Sequence, residues 1–402
     1  MELGVERIRV LLARLDDPQR EFRAIHVVGT NGKSSATRFI CAALAAHDLR
    51  AGAYLSPHIT GWNERVLIAP SGGVAAPVDP AAFLLAVRRA EAAAREVDSE
   101  RGGACTQFEV LTAAAFLVFA AQGVEVAAIE AGLGGRLDAT NVLDASVVAL
   151  TSIALDHIQQ LGPSREDAAR EKLAVLVPGA VLVAGGMDSV IRPTVERIAG
   201  QREASTTLLL EPGAEWEELP ELASRGVFQR ANATVALEAV AALLGDAFDE
   251  QRALAAVVRV VVPGRLELVG CDPLVLRDAA HNPAGAQALA AELPATLGDR
   301  RPVVGVLALL ADKDVDGVLA ALSPSFDAVV ATATPSDRAL SADQLLVACA
   351  ARGLFGEAVA NPVLALERAR VLAGPGGAVV VAGSLTLLGA LAGVTSVDSI
   401  CP

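Results

Sequence analysis

The chain alternates short runs rich in β-branched residues with longer runs rich in alanine and leucine, and this alternation constrains its fold more than any other feature. The strand-like runs are 22–28, 124–129, 146–151, 180–184, 274–277, 303–308, 328–332 and 378–382. The helix-like runs are 33–47, 80–97, 107–121, 165–175, 230–244, 283–293, 314–322, 341–352 and 362–373. Strands that alternate with helices predict an α/β protein, in which parallel sheets are covered by helices on both faces.

The length of 402 residues predicts two domains, because one domain usually takes about 100–200 residues. The segment VVPGRLELVGCDP, residues 261–273, ends one helical region and begins a fresh alternation of strands and helices. We therefore place the domain boundary near residues 264–270 and expect domains of residues 1–266 and 267–402. The Gly/Pro-rich segment 71–80 is predicted to be a surface loop before a helix.

The composition excludes several classes of protein. Hydrophobic residues make up 53% of the chain and charged residues 20%, which is not the composition of a disordered protein. A net charge of −14 provides no basic surface for DNA or RNA. Five scattered cysteines without a CxxC pair argue against a disulfide framework or a structural zinc site and favour a reducing compartment. We therefore expect a cytoplasmic protein without a nucleic-acid partner.

One uncharged stretch, residues 372–394, is long enough to cross a bilayer. Pro375 and six glycines interrupt this stretch. It is therefore predicted to be a buried strand followed by a buried helix, and no membrane partner is expected.

The segment IHVVGTNGKSSAT, residues 25–37, has the order strand, glycine turn, helix. Four of its residues resemble a Walker A loop: Gly29, Gly32, Lys33 and Ser34. Val27 stands where that pattern has its first glycine. The backbone N–H groups of such a loop point at phosphate oxygens, and the helix N-terminus adds positive potential. An ordinary turn between a strand and a helix is the alternative, but the lysine followed by two serines favours phosphate binding.

Further polar motifs lie near the ends of predicted elements. They are SPHITGWNER (56–65), EAGLGGRLDATN (130–141), TSIALDHIQQLG (151–162) and REDAAREK (165–172). An acidic residue at a strand end, followed by glycines and then Arg-Leu-Asp-Ala-Thr-Asn, is too specific for a generic turn. Structural roles are the alternative, because Glu130 could cap the following turn and His157 could be a core histidine.

These motifs, with FEVLTAAAF, RANATVALEA, DAAHNPAGA and LADKD, resemble those of folylpolyglutamate synthases and dihydrofolate synthases, the folate branch of the Mur ligases. The resemblance covers nearly the whole chain. It implies the Mur ligase architecture, in which a P-loop-containing parallel-sheet ATPase domain precedes a smaller, Rossmann-like α/β glutamate-ligase domain. It also implies an ATP-dependent ligase, in which ATP activates a carboxylate as an acyl phosphate and L-glutamate attacks it. Tetrahydrofolate, dihydropteroate or both are the implied acceptors.

The resemblance also implies roles for individual residues. ATP contacts are implied for Gly29, Thr30, Asn31, Gly32, Lys33, Ser34, Ser35, Asn232, Arg265 and Asp278. Ligands of Mg²⁺ or Mn²⁺ are implied at Ser56, Glu130, His157 and Lys172, the last as a carbamylated lysine. Folate contacts are implied for Thr106, Gln107, Phe108, Glu109, Leu137, Asp138 and Ala139. Catalytic roles are implied for Lys33, Lys172 and His281.

Two other functions are alternatives. One is a Mur-type ligase that acts on a different carboxylate, such as a cell-wall or cofactor precursor. The other is a non-catalytic ATP-binding relative, which would be marked by the loss of Lys33, Glu130 or His157, but all three are present. The expected partners are small molecules, namely folate or dihydropteroate, L-glutamate and ATP, and the expected assembly is a monomer.

Overall fold

The structure, a computed structural model, describes residues 4–101 and 103–394. Within these residues the chain forms two compact units. The first unit contains the chain up to Ala154, Gln159–Ala223 and Phe228–Val260. The second unit contains Leu155–Ile158, Ser224–Val227 and the chain from Val261 onward. The sequence-based boundary lies a few residues after Val261, and the assignment of a function to each domain remains a prediction.

The first unit is built on an eight-stranded sheet with the order β4-β3-β2-β5-β1-β6-β7-β8. Its strands are β1 (Arg23–Val28), β2 (Ala51–Tyr54), β3 (Val66–Ala69), β4 (Ala76–Pro77), β5 (Val126–Glu130), β6 (Val147–Leu150), β7 (Val181–Ala184) and β8 (Thr206–Leu209). The helices in this part of the chain are α1 (Glu6–Arg14), α2 (Lys33–Ala46), α3 (Pro80–Arg101), α4 (Gln107–Ala121), α5 (Ile158–Leu161), α6 (Arg165–Leu173), α7 (Arg192–Gln201), α8 (Val227–Leu244) and α9 (Glu250–Val257). Neighbouring strands are parallel except at β3 and β4.

The second unit is built on a six-stranded sheet with the order β13-β12-β11-β14-β10-β9, in which β9 alone is antiparallel. Its strands are β9 (Glu267–Cys271), β10 (Leu274–Arg277), β11 (Val303–Leu307), β12 (Ala328–Ala331), β13 (Gly356–Ala358) and β14 (Ala378–Ala382). Its helices are α10 (Pro283–Leu297), α11 (Val315–Leu322), α12 (Ala342–Ala350), α13 (Pro362–Ala373) and α14 (Leu385–Ala390).

The core of the first unit explains why its central strands are continuous apolar runs. One cluster of buried side chains joins α1, α3 and α4 to the sheet, and another joins α6 and α7 to β6 and β7. Strand β1 lies between β5 and β6 and is buried from Ala24 onward. A parallel sheet that is covered on both faces has no solvent-exposed side to accept polar residues.

The α/β fold class and the predicted elements are confirmed, with most boundaries within four residues. The structure adds strands that the sequence pattern did not indicate: β2, β3, β4, β8, β9 and β13. It also adds helices α1, α5, α7 and α9. The added strands β4, β8, β9 and β13 lie at sheet edges, where half-buried short strands carry a weak hydrophobic pattern. Segment 71–80, predicted to be a surface loop, contains the short strand β4.

The apolar stretch 372–394 contains β14 and α14, as predicted. Among the described residues, the helical segment Val227–Ala247 is also long and apolar enough to span a membrane, but half of its most apolar part is buried inside the protein. Length and composition are therefore weak evidence for a membrane span there. Among the cysteines, Cys41, Cys105 and Cys349 are free. Cys271 is disulfide-bonded, which the cysteine spacing did not indicate, and Cys401 lies outside the described residues.

Candidate active site

The phosphate loop connects β1 to α2. Lys33 is the first residue of α2, and its Nζ donates to the carbonyl oxygens of Gly29 at 3.1 Å and Thr30 at 3.3 Å. The backbone N–H of Asn31 donates to Ser152 Oγ at 2.9 Å, which attaches the loop to the residues after β6. The lysine ammonium and the N-terminus of α2 therefore contribute positive potential at the same short loop, as phosphate binding requires.

Two glycines of this loop leave no room for a side chain. A Cβ atom at Gly29 would lie 2.0 Å from Thr151 Oγ1. A Cβ atom at Gly32, where φ is +89°, would lie 2.2 Å from Asn232 Oδ1. Asn232 is buried on α8 and its Nδ2 donates to Gln229 Oε1 at 3.3 Å. The structure thus places Asn232, a predicted ATP contact, directly against the loop.

Glu130 ends β5, which pairs with β1, and its side chain is 1% exposed. Its Oε1 accepts a hydrogen bond from Ser34 Oγ at 2.9 Å, and its Oε2 accepts one from the backbone N–H of Ser56 at 3.1 Å. The carboxyl ends of parallel strands meet at one edge of a sheet, which is where ligands bind in open α/β sheets. One carboxylate therefore joins the phosphate loop to the SPHITGWNER segment.

A cavity of about 390 Å³ lies in the first unit, within the size range of small-molecule sites. All seven predicted folate contacts line it: Thr106, Gln107, Phe108, Glu109, Leu137, Asp138 and Ala139. Ser56, Gly132, Leu133, Leu161 and Glu171 are also in its wall. The cavity therefore borders Ser56, whose N–H donates to Glu130.

Two of these side chains also have a local structural role at the start of α4. The N–H of Glu109 donates to Thr106 Oγ1 at 3.2 Å, and Glu109 Oε2 accepts from the N–H of Thr106 at 2.7 Å. This is a capping box, which satisfies backbone N–H groups at a helix N-terminus. Thr106 and Glu109 therefore shape the cavity wall by fixing the beginning of α4.

Asp138 is buried at the cavity wall. Its Oδ2 accepts from the N–H of Leu133 at 2.8 Å, and its Oδ1 accepts from the N–H of Thr140 at 3.0 Å and from Thr140 Oγ1 at 2.6 Å. Burial raises the pKa of this carboxyl, whereas these hydrogen bonds favour its ionised form. Asp138 thus fixes the conformation of the EAGLGGRLDATN segment and presents a buried acidic group to the cavity.

Lys172 lies near the end of α6 and is 2% exposed. The glycine-rich segment after β5 packs against this end, because a Cβ atom at Gly135 would lie 2.7 Å from Glu171 O and 2.8 Å from Lys172 O. Arg136 Nε donates to Glu171 Oε1 at 2.7 Å. A lysine at such a buried position is unusual, because burial of a charged ammonium is unfavourable.

In the second unit, Arg265 and Asp278 lie close together. Asp278 is buried, and its two carboxylate oxygens accept from the N–H groups of Leu266 at 2.9 Å and Ala280 at 2.8 Å. Burial raises the pKa of Asp278, and the positive charge of Arg265 opposes this rise. The structure therefore brings these two predicted nucleotide contacts together within the second unit.

Asp156 is the centre of a polar cluster in the second unit. Its Oδ1 lies 2.7 Å from Lys313 Nζ, and its Oδ2 lies 3.1 Å from Asn282 Nδ2 and 3.5 Å from His281 Nε2. The side chains of Lys313 and Asp156 are 7% and 9% exposed. Burial opposes the ionisation of Asp156, but His281 and the Lys313 ammonium outweigh it and hold the pKa of Asp156 well below its usual range.

His157, a predicted metal ligand, belongs to the same cluster. Its φ is +50°, a conformation that few residues other than glycine adopt. Its Nε2 lies 3.0 Å from Lys313 Nζ and accepts a hydrogen bond from it, because an ammonium can only donate. Burial lowers the pKa of His157, as does Lys313, whereas Asp156 raises it. His157 therefore holds a neutral imidazole, the form that binds metal ions.

The site residues predicted from the sequence do not include Lys313, although it lies in the motif LADKD. The signal that could have found it is the scarcity of lysine, since the chain contains three lysines and 30 arginines. The three lysines are Lys33, Lys172 and Lys313. Each lies in a recognised motif, whereas arginine supplies nearly all other positive charge.

Comparison with known proteins agrees with these local features. The family described as Mur ligase, glutamate ligase domain, matches residues 264–385. The dihydrofolate synthase/folylpolyglutamate synthase of Mycobacterium tuberculosis is 38% identical over 385 residues, which cover 87% of this chain and 78% of that protein. The chain belongs to the dihydrofolate synthase/folylpolyglutamate synthase family.

Solved structures of this family share the fold. The folylpolyglutamate synthase of Mycobacterium tuberculosis, complexed with ADP and AMPPCP, matches with a TM-score of 0.89 and 34% identity over 99% of this chain and 96% of that one. A bifunctional folylpolyglutamate synthase/dihydrofolate synthase with Mn, AMPPNP and L-glutamate bound matches with a TM-score of 0.83 and 30% identity, over 98% and 95% of the two chains. The predicted Mur ligase architecture is therefore confirmed, and this family member is an ATP-dependent ligase.

The residues of this family member fit a hard divalent cation. Ser34 Oγ and the buried carboxylate of Glu130 lie 2.9 Å apart at the phosphate loop, and such oxygen donors suit Mg²⁺ or Mn²⁺. Among the residues that the structure describes, no group of three His, Cys, Asp or Glu side chains could hold a metal ion. Mg²⁺ is usually bound by one or two carboxylates together with phosphate oxygens and water.

Proposed function

We propose that this chain adds L-glutamate to dihydropteroate and to tetrahydrofolate through an acyl phosphate, with Mg²⁺ or Mn²⁺. One observation carries the proposal. Glu130 accepts hydrogen bonds from Ser34 of the phosphate loop and from Ser56 in the wall of the 390 Å³ cavity. A phosphate site and a cavity for a flat aromatic substrate thus meet at one carboxylate.

In the first step, a carboxylate oxygen of the folate substrate attacks the γ-phosphorus of ATP, and the bond to ADP breaks. Lys33 and the N–H groups at the start of α2 would stabilise the charge on the transferred phosphoryl group.

Asn232 and Gln229 would border the nucleotide at Gly32. Ser34, Ser56 and Glu130 would hold the cation, which neutralises phosphate charge when it is bound.

In the second step, the amino group of L-glutamate attacks the acyl carbon, the bond to phosphate breaks, and the proton lost by the amine passes to the released phosphate. We assign His281 a catalytic role, because its ring lies beside the Asp156–Lys313 pair and its Nδ1 lies 2.8 Å from the carbonyl oxygen of Ala279. Arg265 and Asp278 are assigned to the nucleotide. The match of residues 264–385 to a glutamate ligase domain supports the proposal that L-glutamate is bound by residues of this part of the chain.

Lys172 would act as a carbamate, whose negative charge would replace a buried ammonium and could help to hold a second cation. His157 is also assigned to a metal ion. We further propose that the protein is a cytoplasmic monomer.

The decisive experiment measures phosphate release from ATP with L-glutamate and either dihydropteroate or tetrahydrofolate, with mass spectrometry of the product. Glutamate addition to both acceptors is expected, and Lys33→Ala should abolish it. Lys33 donates only to loop carbonyls in the described hydrogen bonds, so the variant should unfold at the same temperature as the wild type. If the wild-type protein released no phosphate with either dihydropteroate or tetrahydrofolate, the proposal would be rejected.

A further inference from the structure

His26 lies in the middle of β1 and is 0% exposed. Its Nε2 lies 2.8 Å from Thr140 Oγ1, and Thr140 Oγ1 donates to Asp138 Oδ1 at 2.6 Å. Thr140 and Asp138 are 0% and 5% exposed. Three buried side chains therefore form a continuous hydrogen-bond chain from the centre of the sheet to the cavity, where Asp138 is in the wall.

The direction of each hydrogen bond in this chain is determined. A threonine hydroxyl has one proton, and that of Thr140 is donated to Asp138, so Thr140 Oγ1 must accept from His26 Nε2. His26 Nδ1 is buried and has no partner among the described residues. Burying an acceptor nitrogen without a hydrogen-bond partner destabilises the fold less than burying an unpaired N–H donor does. His26 is therefore the neutral tautomer with its proton on Nε2.

Two backbone N–H groups, of Leu133 and Thr140, also reach Asp138. Both belong to the same loop as Asp138, so they orient the carboxylate relative to the loop alone. The Thr140 hydroxyl differs, because through His26 it connects the carboxylate to β1. Strand β1 continues into the phosphate loop three residues later, at Gly29.

We propose that His26 is a positioning residue for the folate cavity, acting through Thr140 to hold Asp138 in one rotamer toward the N–H groups of the bound pteridine. The proposal rests on the function proposed above. It predicts a role for His26 in the affinity for the folate substrate and none in the affinity for ATP, because other side chains, those of Ser152 and Thr151, hold the phosphate loop.

The test uses the 402-residue chain with Thr140→Val and His26→Leu, which remove the hydroxyl and the imidazole donor with little change of size. Thr37→Val is the matched control, because Thr37 is equally buried and its hydroxyl has no partner among the described residues. His26→Gln restores an N–H donor near the position of Nε2. The KM values for tetrahydrofolate, dihydropteroate and ATP are measured for each variant, with the thermal unfolding temperature.

Thr140→Val should raise the KM for both folate substrates by about tenfold, since it removes a hydrogen bond to a charged group, which contributes on the order of 1.5 kcal/mol. His26→Leu should raise it by about fivefold, since the bond that it removes joins two neutral groups and contributes about 1 kcal/mol. The KM for ATP should change by less than about twofold, because the phosphate loop is held separately. His26→Gln should recover most of the folate affinity, and Thr37→Val should behave as wild type. Equal changes in the KM for ATP and for folate, or no change for folate in an active enzyme, would overturn the proposal.

A second measurement does not need substrate. Among the five histidines, ¹⁵N NMR should show His26 as a neutral imidazole protonated on Nε2, and its signals should shift in Thr140→Val but not in Thr37→Val. A proton on Nδ1, or signals that are insensitive to Thr140, would reject the hydrogen-bond chain. An inactive wild type with the expected NMR signals would instead reject the folate function and, with it, the role of His26 in folate binding.

Discussion

Ser34 Oγ donates a 2.9 Å hydrogen bond to Glu130 Oε1 across 96 residues of sequence. The hydroxyl that follows the phosphate-loop lysine and the carboxylate that ends the neighbouring strand therefore form a single polar site. Because β1 and β5 are adjacent and parallel, both groups emerge at the same edge of the sheet.

Glu130→Gln should lower turnover by orders of magnitude, because the variant keeps the size of the side chain but removes the charge that would bind the cation. Nucleotide binding without metal should change little. Isothermal titration of ATP with and without Mg²⁺ separates the two effects. Glu238→Gln is the control, because Glu238 is a half-buried glutamate of α8 outside this site. Normal turnover of Glu130→Gln would remove Glu130 from the metal site.

Gly32→Ala should abolish ATP binding, because its Cβ would lie 2.2 Å from Asn232 Oδ1. Gly179→Ala provides a matched control, since Gly179 has a similar φ of +82° but nothing within 4 Å of the added Cβ. The control should lose only about 1 kcal/mol of stability from its backbone conformation and keep its activity. Similar ATP affinities of the two variants would contradict the close approach of Asn232.

Lys172 should incorporate labelled carbon dioxide. With three lysines in the chain, ¹³C NMR in labelled bicarbonate should show one carbamate signal that disappears in Lys172→Ala and persists in Lys33→Arg. Activity should fall when dissolved carbon dioxide is removed, and short carboxylates should partly rescue Lys172→Ala. An active enzyme without any carbamate signal would exclude the modification while leaving the ligase activity intact.

Lys313→Met should destabilise the protein by about 3 kcal/mol, because it leaves the buried carboxylate of Asp156 without its cation. Urea denaturation measures this loss. Arg338→Met is the control, since the Arg338–Asp312 pair is also about 3 Å long but its side chains are 64% and 34% exposed. That control should change stability by less than about 1 kcal/mol. Equal effects of the two substitutions would show that the Asp156–Lys313 pair contributes no more than a surface pair.

His26 predicts a dependence of stability on pH. Burial lowers its pKa to about 4 from an ordinary value of 6.5. Between these values the unfolded chain takes up a proton that the native protein does not, so acidification destabilises the fold. Lowering the pH from 7.5 to 5 should therefore reduce the free energy of unfolding by about 2 kcal/mol through this histidine. Urea denaturation of His26→Gln should show a weaker pH dependence by that amount, and identical pH profiles would contradict the lowered pKa.

The alternation of strands and helices predicted the fold class, the central strands and most helices, because a strand buried on both faces must be apolar along its length. Edge strands such as β8 and β13 escaped prediction, since their side chains are partly exposed and carry no clear period. Two short segments, Leu155–Ile158 and Ser224–Val227, belong to the second unit although they lie within the sequence of the first. No local sequence pattern indicates this assignment.

The phosphate loop could be predicted from the sequence, because Gly29 to Ser34 are contiguous and their chemistry depends on local backbone geometry. The sequence also identified the family and the motif positions. The contacts between residues of different motifs became known from the three-dimensional structure. Glu130 meets Ser34, His26 meets Thr140 across 114 residues, and Lys313 meets Asp156 across 157. Such pairs depend on strand order and on the packing of loops at the sheet edge, and the periodicity of a single sequence specifies neither.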